Sequence, residues 1–149
     1  MGKRERTDFP GAVHHVMNRG VDGRCVFLDT GDYGLFLVGL AGLKAEMGFS
    51  VLAYCLMSNH FHLAIKVGRV PLARIMHRFE SGYAGDFNKK HSRMGHLFQA
   101  RYESRLVLSD RQFANTINYI HQNPVDAELV REAELWPWSS AALIAGGLL

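Results

Sequence analysis

Cysteine is nearly absent from this chain: Cys25 and Cys55 are the only two in 149 residues, and they form no Cys-x-x-Cys pair. That excludes a disulfide framework and a cysteine-built zinc site, and the two thiols are expected to be reduced and structural. Long apolar runs are missing as well. None approaches the roughly 20 residues of a membrane span, and the polar start Met1-Gly2-Lys3-Arg4-Glu5-Arg6 has no apolar core of a secretory signal. The expectation is a cytoplasmic protein with no membrane partner. Repeats and low-complexity tracts are lacking, and neither sign of charge dominates: 17 Lys and Arg stand against 14 Asp and Glu, for a net +3. What is present is a chain that is 48% hydrophobic, enough for one compact domain over residues 1–149 with a single core.

The charge is unevenly spread. Between Lys66 and Arg105 lie nine cationic side chains (Lys66, Arg69, Arg74, Arg78, Lys89, Lys90, Arg93, Arg101, Arg105) against three acidic ones (Glu80, Asp86, Glu103), or +6. Such a segment suits a polyanion such as nucleic acid, and it equally suits a solvated helix face.

Periodicity divides the chain into alternating strands and helices. Ala12 to Arg19 reads as a strand ending at Gly20. A helix follows, capped by Asp29 or Thr30, with Leu35, Phe36, Leu40 and Leu43 at helical spacing before Gly48. Val51–Met57 and His60–Val67 read as a hairpin of two strands about Ser58-Asn59. From Pro71 to Lys90 a second helix carries Leu72, Ile75, Met76, Phe79, Tyr83 and Phe87 on one stripe, which assigns Tyr83 to the core. Extended segments are expected at Leu97–Gln99 and Arg105–Leu108. Ser109 and Gln112 form a capping-box pattern that opens a third helix to about Gln122, followed by a short acidic helix from Pro124. Trp136 and Trp138 are expected as core anchors before a small terminal helix.

Two features carry chemistry. In the strand Ser58-Asn59-His60-Phe61-His62-Leu63-Ala64-Ile65, alternation puts His60 and His62 on one face with Ala64 and Lys66, about 7 Å apart along the backbone. Two imidazoles so placed can converge on one metal ion, although a polar strand face needs no ligand to explain it. On the third helix, Phe113, Ala114, Ile117 and Ile120 form the apolar side, while Gln112, Thr116, Tyr119 and Asn123 form a separate polar stripe. Two neutral imidazoles and the Asn123 side-chain oxygen could bind a divalent ion beside Tyr119, whose phenol can attack phosphorus to form a phosphotyrosine. Asn123 has a second reading as the cap of a helix starting at Pro124. Tyr83 is the rival nucleophile, and Asn88 lies five residues from it, off its face. His14, Asn18 and Arg19 of the first strand are read equally as strand packing and as DNA contacts.

Five ordered blocks extend the pattern: His15-Val16-Met17-Asn18-Arg19-Gly20, Met57-Ser58-Asn59-His60-Phe61-His62, Gly95-His96-Leu97-Phe98-Gln99-Ala100-Arg101-Tyr102, Tyr119-Ile120-His121-Gln122-Asn123-Pro124-Val125 and Trp136-Pro137-Trp138-Ser139-Ser140. With these blocks the chain resembles the REP-associated tyrosine transposases, relatives of the IS200-like single-strand transposases of the HUH superfamily. The resemblance implies an α+β, ferredoxin-like (RRM-like) antiparallel sheet flanked by helices, with the histidine strand central. It implies His60, His62 and Asn123 as metal ligands, magnesium or manganese as the ion, and Tyr119 as the nucleophile. A site with no carboxylate suits softer ions than magnesium, so a DNA phosphate is expected to complete it.

The expected function is that of a metal-dependent single-stranded DNA endonuclease and strand transferase, forming a covalent 5′-phosphotyrosine intermediate on hairpin or palindromic-repeat DNA. Arg19, Arg74, Arg78, Lys89, Lys90, Arg101 and Arg105 are the candidate DNA-backbone contacts. The alternatives are a non-catalytic single-stranded nucleic-acid-binding protein derived from such a transposase, and a hydrolase using water in place of Tyr119. The active form is expected as monomer or homodimer.

Overall fold

The computed structural model describes residues 8–145, so the outer ends of the expected domain, 1–7 and 146–149, lie outside the described residues. Eight elements follow in order: β1 (Val13–Arg19), α1 (Thr30–Met47), β2 (Ser50–Leu56), β3 (His60–Lys66), α2 (Leu72–Lys90), β4 (Glu103–Val107), α3 (Asp110–Asp126) and α4 (Ser140–Ala145). Local chemistry sets their bounds. Asp29 accepts from the Asp32 amide and Asp32 from that of Asp29, a reciprocal cap on α1, and Gly48 ends that helix at φ 69°, where a side chain would be strained. Ser109 accepts from the Gln112 amide to open α3. The Gln112 side chain returns to the amide of Leu108 rather than Ser109, which shifts the second half of the expected box by one residue.

The sheet order is β2-β3-β1-β4, every pair antiparallel. With α1 and α2 as crossovers this is the βαββαβ ferredoxin-like arrangement, and the histidine strand β3 is central as the sequence implies. Alternation along β1 and β3 sorts the side chains. Val16, Phe61, Leu63 and Ile65 face one way and pack with Phe36 and Leu40 of α1 and with Leu72, Ile75, Met76, Phe79, Tyr83 and Phe87 of α2. The predicted α2 stripe is therefore the core stripe, whereas Leu35 of α1 falls outside it at 38% exposure. The Tyr83 hydroxyl donates to the Val26 carbonyl at 2.5 Å and burial pushes its pKa up, so its phenol is a core group.

The opposite face is covered too, contrary to the exposed polar face expected for β3. Ala53, Cys55, Met57 and Ala64 form a second buried cluster with Ile120 of α3, flanked by Ile117 and Trp136. Small residues at 53 and 64 let α3 approach the sheet closely. Cys55 belongs to this layer, its thiol pushed up by burial to about 12, in keeping with a structural role. Trp136 donates to the Leu56 carbonyl at 2.9 Å and Trp138 stacks on Tyr33 at 4.6 Å, so both are anchors.

Two boundaries differ from the sequence reading. α3 does not stop at Gln122 but runs through Pro124 to Asp126, so no separate helix starts at Pro124, and the short 3-10 turn Ala133–Leu135 comes later. Proline loses one amide near the helix end, while its ring is buried and the Ala127 amide resumes bonding to the Asn123 carbonyl at 3.0 Å. Asn123 thus lies inside a helix and cannot cap one. Leu97–Gln99 is not a strand. It is tied to the end of β1 by a single bridge, Gly20 with Phe98, and by bonds from Val21 to Leu97 and from Gln99 to Arg19.

His14 and Asn18 point into the α2 side of the sheet. His14 pairs with Asp8 at 2.9 Å, and the Asn18 amide donates to Glu80 at 2.7 Å and to the Ala100 carbonyl at 3.1 Å. Burial pushes the Glu80 carboxyl up to about 7, with the Asn18 bond pulling it part of the way back. The native chain therefore holds this proton where the unfolded chain, titrating near 4.5, releases it, and stability falls as pH rises from about 4.5 to 7. Glu80→Gln keeps the acceptor for Asn18 and removes this dependence. Urea titrations across that window are expected to show wild type losing stability relative to Glu80→Gln by at most about 1.4 kcal/mol per pH unit.

Candidate active site

Position 62 is the middle of the arrangement. His62 is 2% exposed, and its ring touches three others: His60 at 5.2 Å, His15 at 5.2 Å and Tyr119 at 5.5 Å between centroids. β3 aims both histidines at the α3 side, and α3 turns its polar stripe toward them. Tyr119 lies edge-on over His62 and His15, while remaining 51% exposed. One turn on, Asn123 Oδ1 lies 3.2 Å from His60 Nε2. The structure thus brings together His60, His62, Tyr119 and Asn123, which come from segments some sixty residues apart.

The histidines are neutral. Burial pushes His62 down to about 3, helped by the neighbouring His60, His15 and Arg19, and burial lowers His60 and His15 as well. Neutrality decides what His60 can do. Its Nδ1 lies 2.8 Å from Asn59 Oδ1 and its Nε2 faces Asn123 Oδ1, so two acceptor oxygens meet an imidazole with one proton. With Nδ1–H given to Asn59, Nε2 and Asn123 Oδ1 present lone pairs to each other. A cation held between them would turn that opposition into shared ligation. The donor set fits a divalent ion, with His60 Nε2, Asn123 Oδ1 and His62 as the groups that could hold it, and Asn59 fixing the His60 tautomer from behind.

An acidic cluster elsewhere is different in kind. Asp29, Asp32 and His91 converge where the start of α1 meets the end of α2. Lys90 Nζ already sits 2.8 Å from Asp29 and 2.9 Å from Asp32, His91 bonds Asp32 at 2.9 Å, and the Leu28 amide completes its shell. Burial would raise the Asp32 carboxyl, but these donors hold it below its usual value. The positive charge that an ion would bring is supplied by Lys90, so the cluster is a helix-to-helix clamp.

Of the candidate DNA contacts, two lie at the site. Arg19 pairs in register with His60, and Arg105 with His15, on the same sheet face. Arg105 also lines a cleft of about 350 Å³ with His15, Met17, Asn115, Thr116 and Tyr119. Arg74, Arg78, Lys89 and Lys90 are not brought there, because α2 covers the other face of the sheet. Arg78 pairs with Glu46 at 3.0 Å, and Lys90 is held in the clamp. Arg101 lines a separate cleft of about 650 Å³ with Asp8 and His14. Sequence reasoning missed His15 and Asn59 as members of the site. Asn59 is adjacent to His60, and the alternation of β1 puts His15 on one face with Arg19, but only the strand register sets that face against His62.

A ferredoxin-like sheet whose central strand presents a His-x-His pair to a helix-borne tyrosine defines the HUH class of tyrosine proteins. The sequence matches the family described as Transposase IS200 like over residues 28–123, a span from the start of α1 to Asn123, and the chain belongs to that family. A Haemophilus influenzae (strain ATCC 51907 / DSM 11121 / KW20 / Rd) protein with the provisional name REP-associated tyrosine transposase is 27% identical over 103 residues, 62% of this chain and 58% of that protein. The match thus spans less than two thirds of that relative. Among solved structures, a REP-associated tyrosine transposase bound to a REP hairpin superposes with TM-score 0.79 at 17% identity, over 95% of this chain and 84% of the other. A Deinococcus radiodurans protein provisionally described as a transposase gives 0.56 at 16% identity, over 77% and 92%. Both share the fold.

Replacing Asp32 by Asn removes the buried charge on which Lys90 and His91 converge. The variant is expected to lose about 1–2 kcal/mol of stability in denaturant titrations, the scale of hydrogen bonds to a charged group, with no compensation from added Mg²⁺ or Mn²⁺.

Proposed function

We propose that this protein is a metal-dependent single-stranded DNA endonuclease and strand transferase, acting on hairpin or palindromic-repeat DNA through Tyr119. The observation that carries this reading is the joint placement of Tyr119 over His62 and of Asn123 Oδ1 3.2 Å from His60 Nε2, within one chain. A half-exposed phenol beside a converging donor set is suited to phosphoryl chemistry. The hairpin bound by the structural neighbour supports the choice of substrate.

His60, His62 and Asn123 would hold magnesium or manganese, and these three neutral donors leave room for a phosphate oxygen to supply the missing negative ligand. A divalent ion bound there supplies Lewis-acid polarisation of that phosphate. The Tyr119 hydroxyl attacks phosphorus and gives up its proton, the bond to the sugar 3′ oxygen breaks, and that oxygen leaves as a protonated hydroxyl. The product is a 5′-phosphotyrosine ester that keeps the energy of the phosphodiester, so a second DNA hydroxyl can attack it and rejoin a strand. Arg19 and Arg105 flank the site and hold the backbone, and the cleft beside Tyr119 takes an unpaired nucleotide, which favours single strands over duplex.

Two measurements test this. Labelled single-stranded hairpin DNA incubated with manganese is expected to leave label on denatured wild-type protein and none on Tyr119→Phe, while the variant still binds uncleaved DNA. Adduct formation that survives Tyr119→Phe sinks the nucleophile assignment, and binding without any adduct in wild type points to the non-catalytic module. In salt titrations of single-strand binding, Arg19→Ala and Arg105→Ala are each expected to lower the slope of log K against log salt by about 0.7, and Arg78→Ala to leave it unchanged.

A further inference from the structure

His15 takes no part in the chemistry above, yet its ring lies at the centre of the site. Its Nε2 is 3.0 Å from His62 Nδ1, the two rings stack at 30°, and its other side meets the edge of Tyr119 at 5.6 Å. On His62 this leaves one ring nitrogen, Nε2, without a protein partner. Among the described residues no buried side-chain nitrogen lacks a hydrogen bond, so Nε2 is not sealed off from solvent.

Two neutral imidazoles that share one hydrogen bond have two arrangements. When His15 donates, His62 accepts on Nδ1 and carries its own proton on Nε2, which then has no lone pair to offer a cation. When His62 donates from Nδ1, its Nε2 is a bare lone pair, and His15 Nε2 is the acceptor. Only the second arrangement makes His62 a ligand, and it requires an acceptor at Nδ1. Ligating histidines ordinarily give that proton to a carboxylate, a carbonyl or water. Here no carboxylate or carbonyl bonds to it, and His15 is the one partner present.

We propose that His15 is a positioning residue for His62: by accepting the Nδ1 proton of His62 on its own Nε2, it holds the tautomer and ring orientation that turn the Nε2 lone pair of His62 toward a divalent ion. This rests on the reading of His60, His62 and Asn123 as a metal-holding group. The ring contact with Tyr119 adds a consequence, because the residue that orients the ligand also sets the seat of the nucleophile.

The test compares His15→Gln, which offers an amide oxygen in place of Nε2, with His15→Phe, which keeps the ring and removes the acceptor. Calorimetry with Mn²⁺ alone is expected to show His15→Phe losing 10- to 100-fold in affinity while His15→Gln stays near wild type, with both variants folded by near-ultraviolet circular dichroism. Long-range ¹H–¹⁵N spectra of the metal-free proteins are expected to place the His62 proton on Nδ1 in wild type and His15→Gln, and to move it to Nε2 in His15→Phe. Equal Mn²⁺ affinity in wild type and His15→Phe, or a His62 proton on Nε2 in wild type, would overturn the role of His15 alone. No Mn²⁺ binding by wild type, with or without a DNA strand, would overturn the metal reading on which the role depends.

Discussion

Burying an imidazole in the middle of a sheet excludes its charged form, and β3 buries His62 between two layers of side chains. The layer beneath is aromatic and aliphatic, built by α1 and α2. The layer above is α3, brought close by Ala53 and Ala64. Between them a neutral ring must find partners for its nitrogens locally, since an unpaired buried polar atom is costly. His15 supplies one from the neighbouring strand. The same enclosure lowers His60 and His15, so a cluster of three histidines carries no charge of its own at neutral pH. The neutral histidine cluster and the placement of Tyr119 beside it both follow from one covered strand.

The basic residues divide along the same layers. Arg19 and Arg105 belong to the α3 side through strand register, whereas Arg78 and Lys90 are engaged by Glu46 and by the Asp29 and Asp32 pair on the other side. A cation count along the chain is therefore a poor guide to where a polyanion would lie. Arg78 and Lys90 instead stiffen the joint between α1 and α2.

Much of the fold was legible in local pattern. Alternation across Phe61, His62, Leu63 and Ala64 shows which residues share a face, and the spacing from Leu72 to Phe87 shows which stripe of α2 is core, because both depend only on the period of the backbone. The pairing of Tyr119 with Asn123 is legible for the same reason, being one helical turn. His15 was not, because its neighbour His62 is 47 residues away and is reached only through the register of β1 on β3. Pro124 misled through a sound local rule, since a proline usually marks a boundary, and here burial of the ring outweighed one missing bond. The clamp was hidden similarly: Asp32 lies at the start of α1 and Lys90 at the end of α2, and they meet only when those helices pack.

The segment after α3 also determines what the sheet can pair with. Ser140 Oγ accepts from the Tyr54 amide at 2.9 Å, donates to the Tyr54 carbonyl at 3.2 Å and meets His121 at 2.7 Å, while the Leu56 amide reaches the Trp138 carbonyl at 2.8 Å. These bonds occupy the outward backbone groups at the end of β2, which would otherwise offer a template to another chain. The opposite edge is β4, five residues long with Glu103 and Arg105 along it. A sheet with one margin sealed by its own tail and the other short and charged resists edge-to-edge stacking, so the copies of this chain stay separate at their sheet margins.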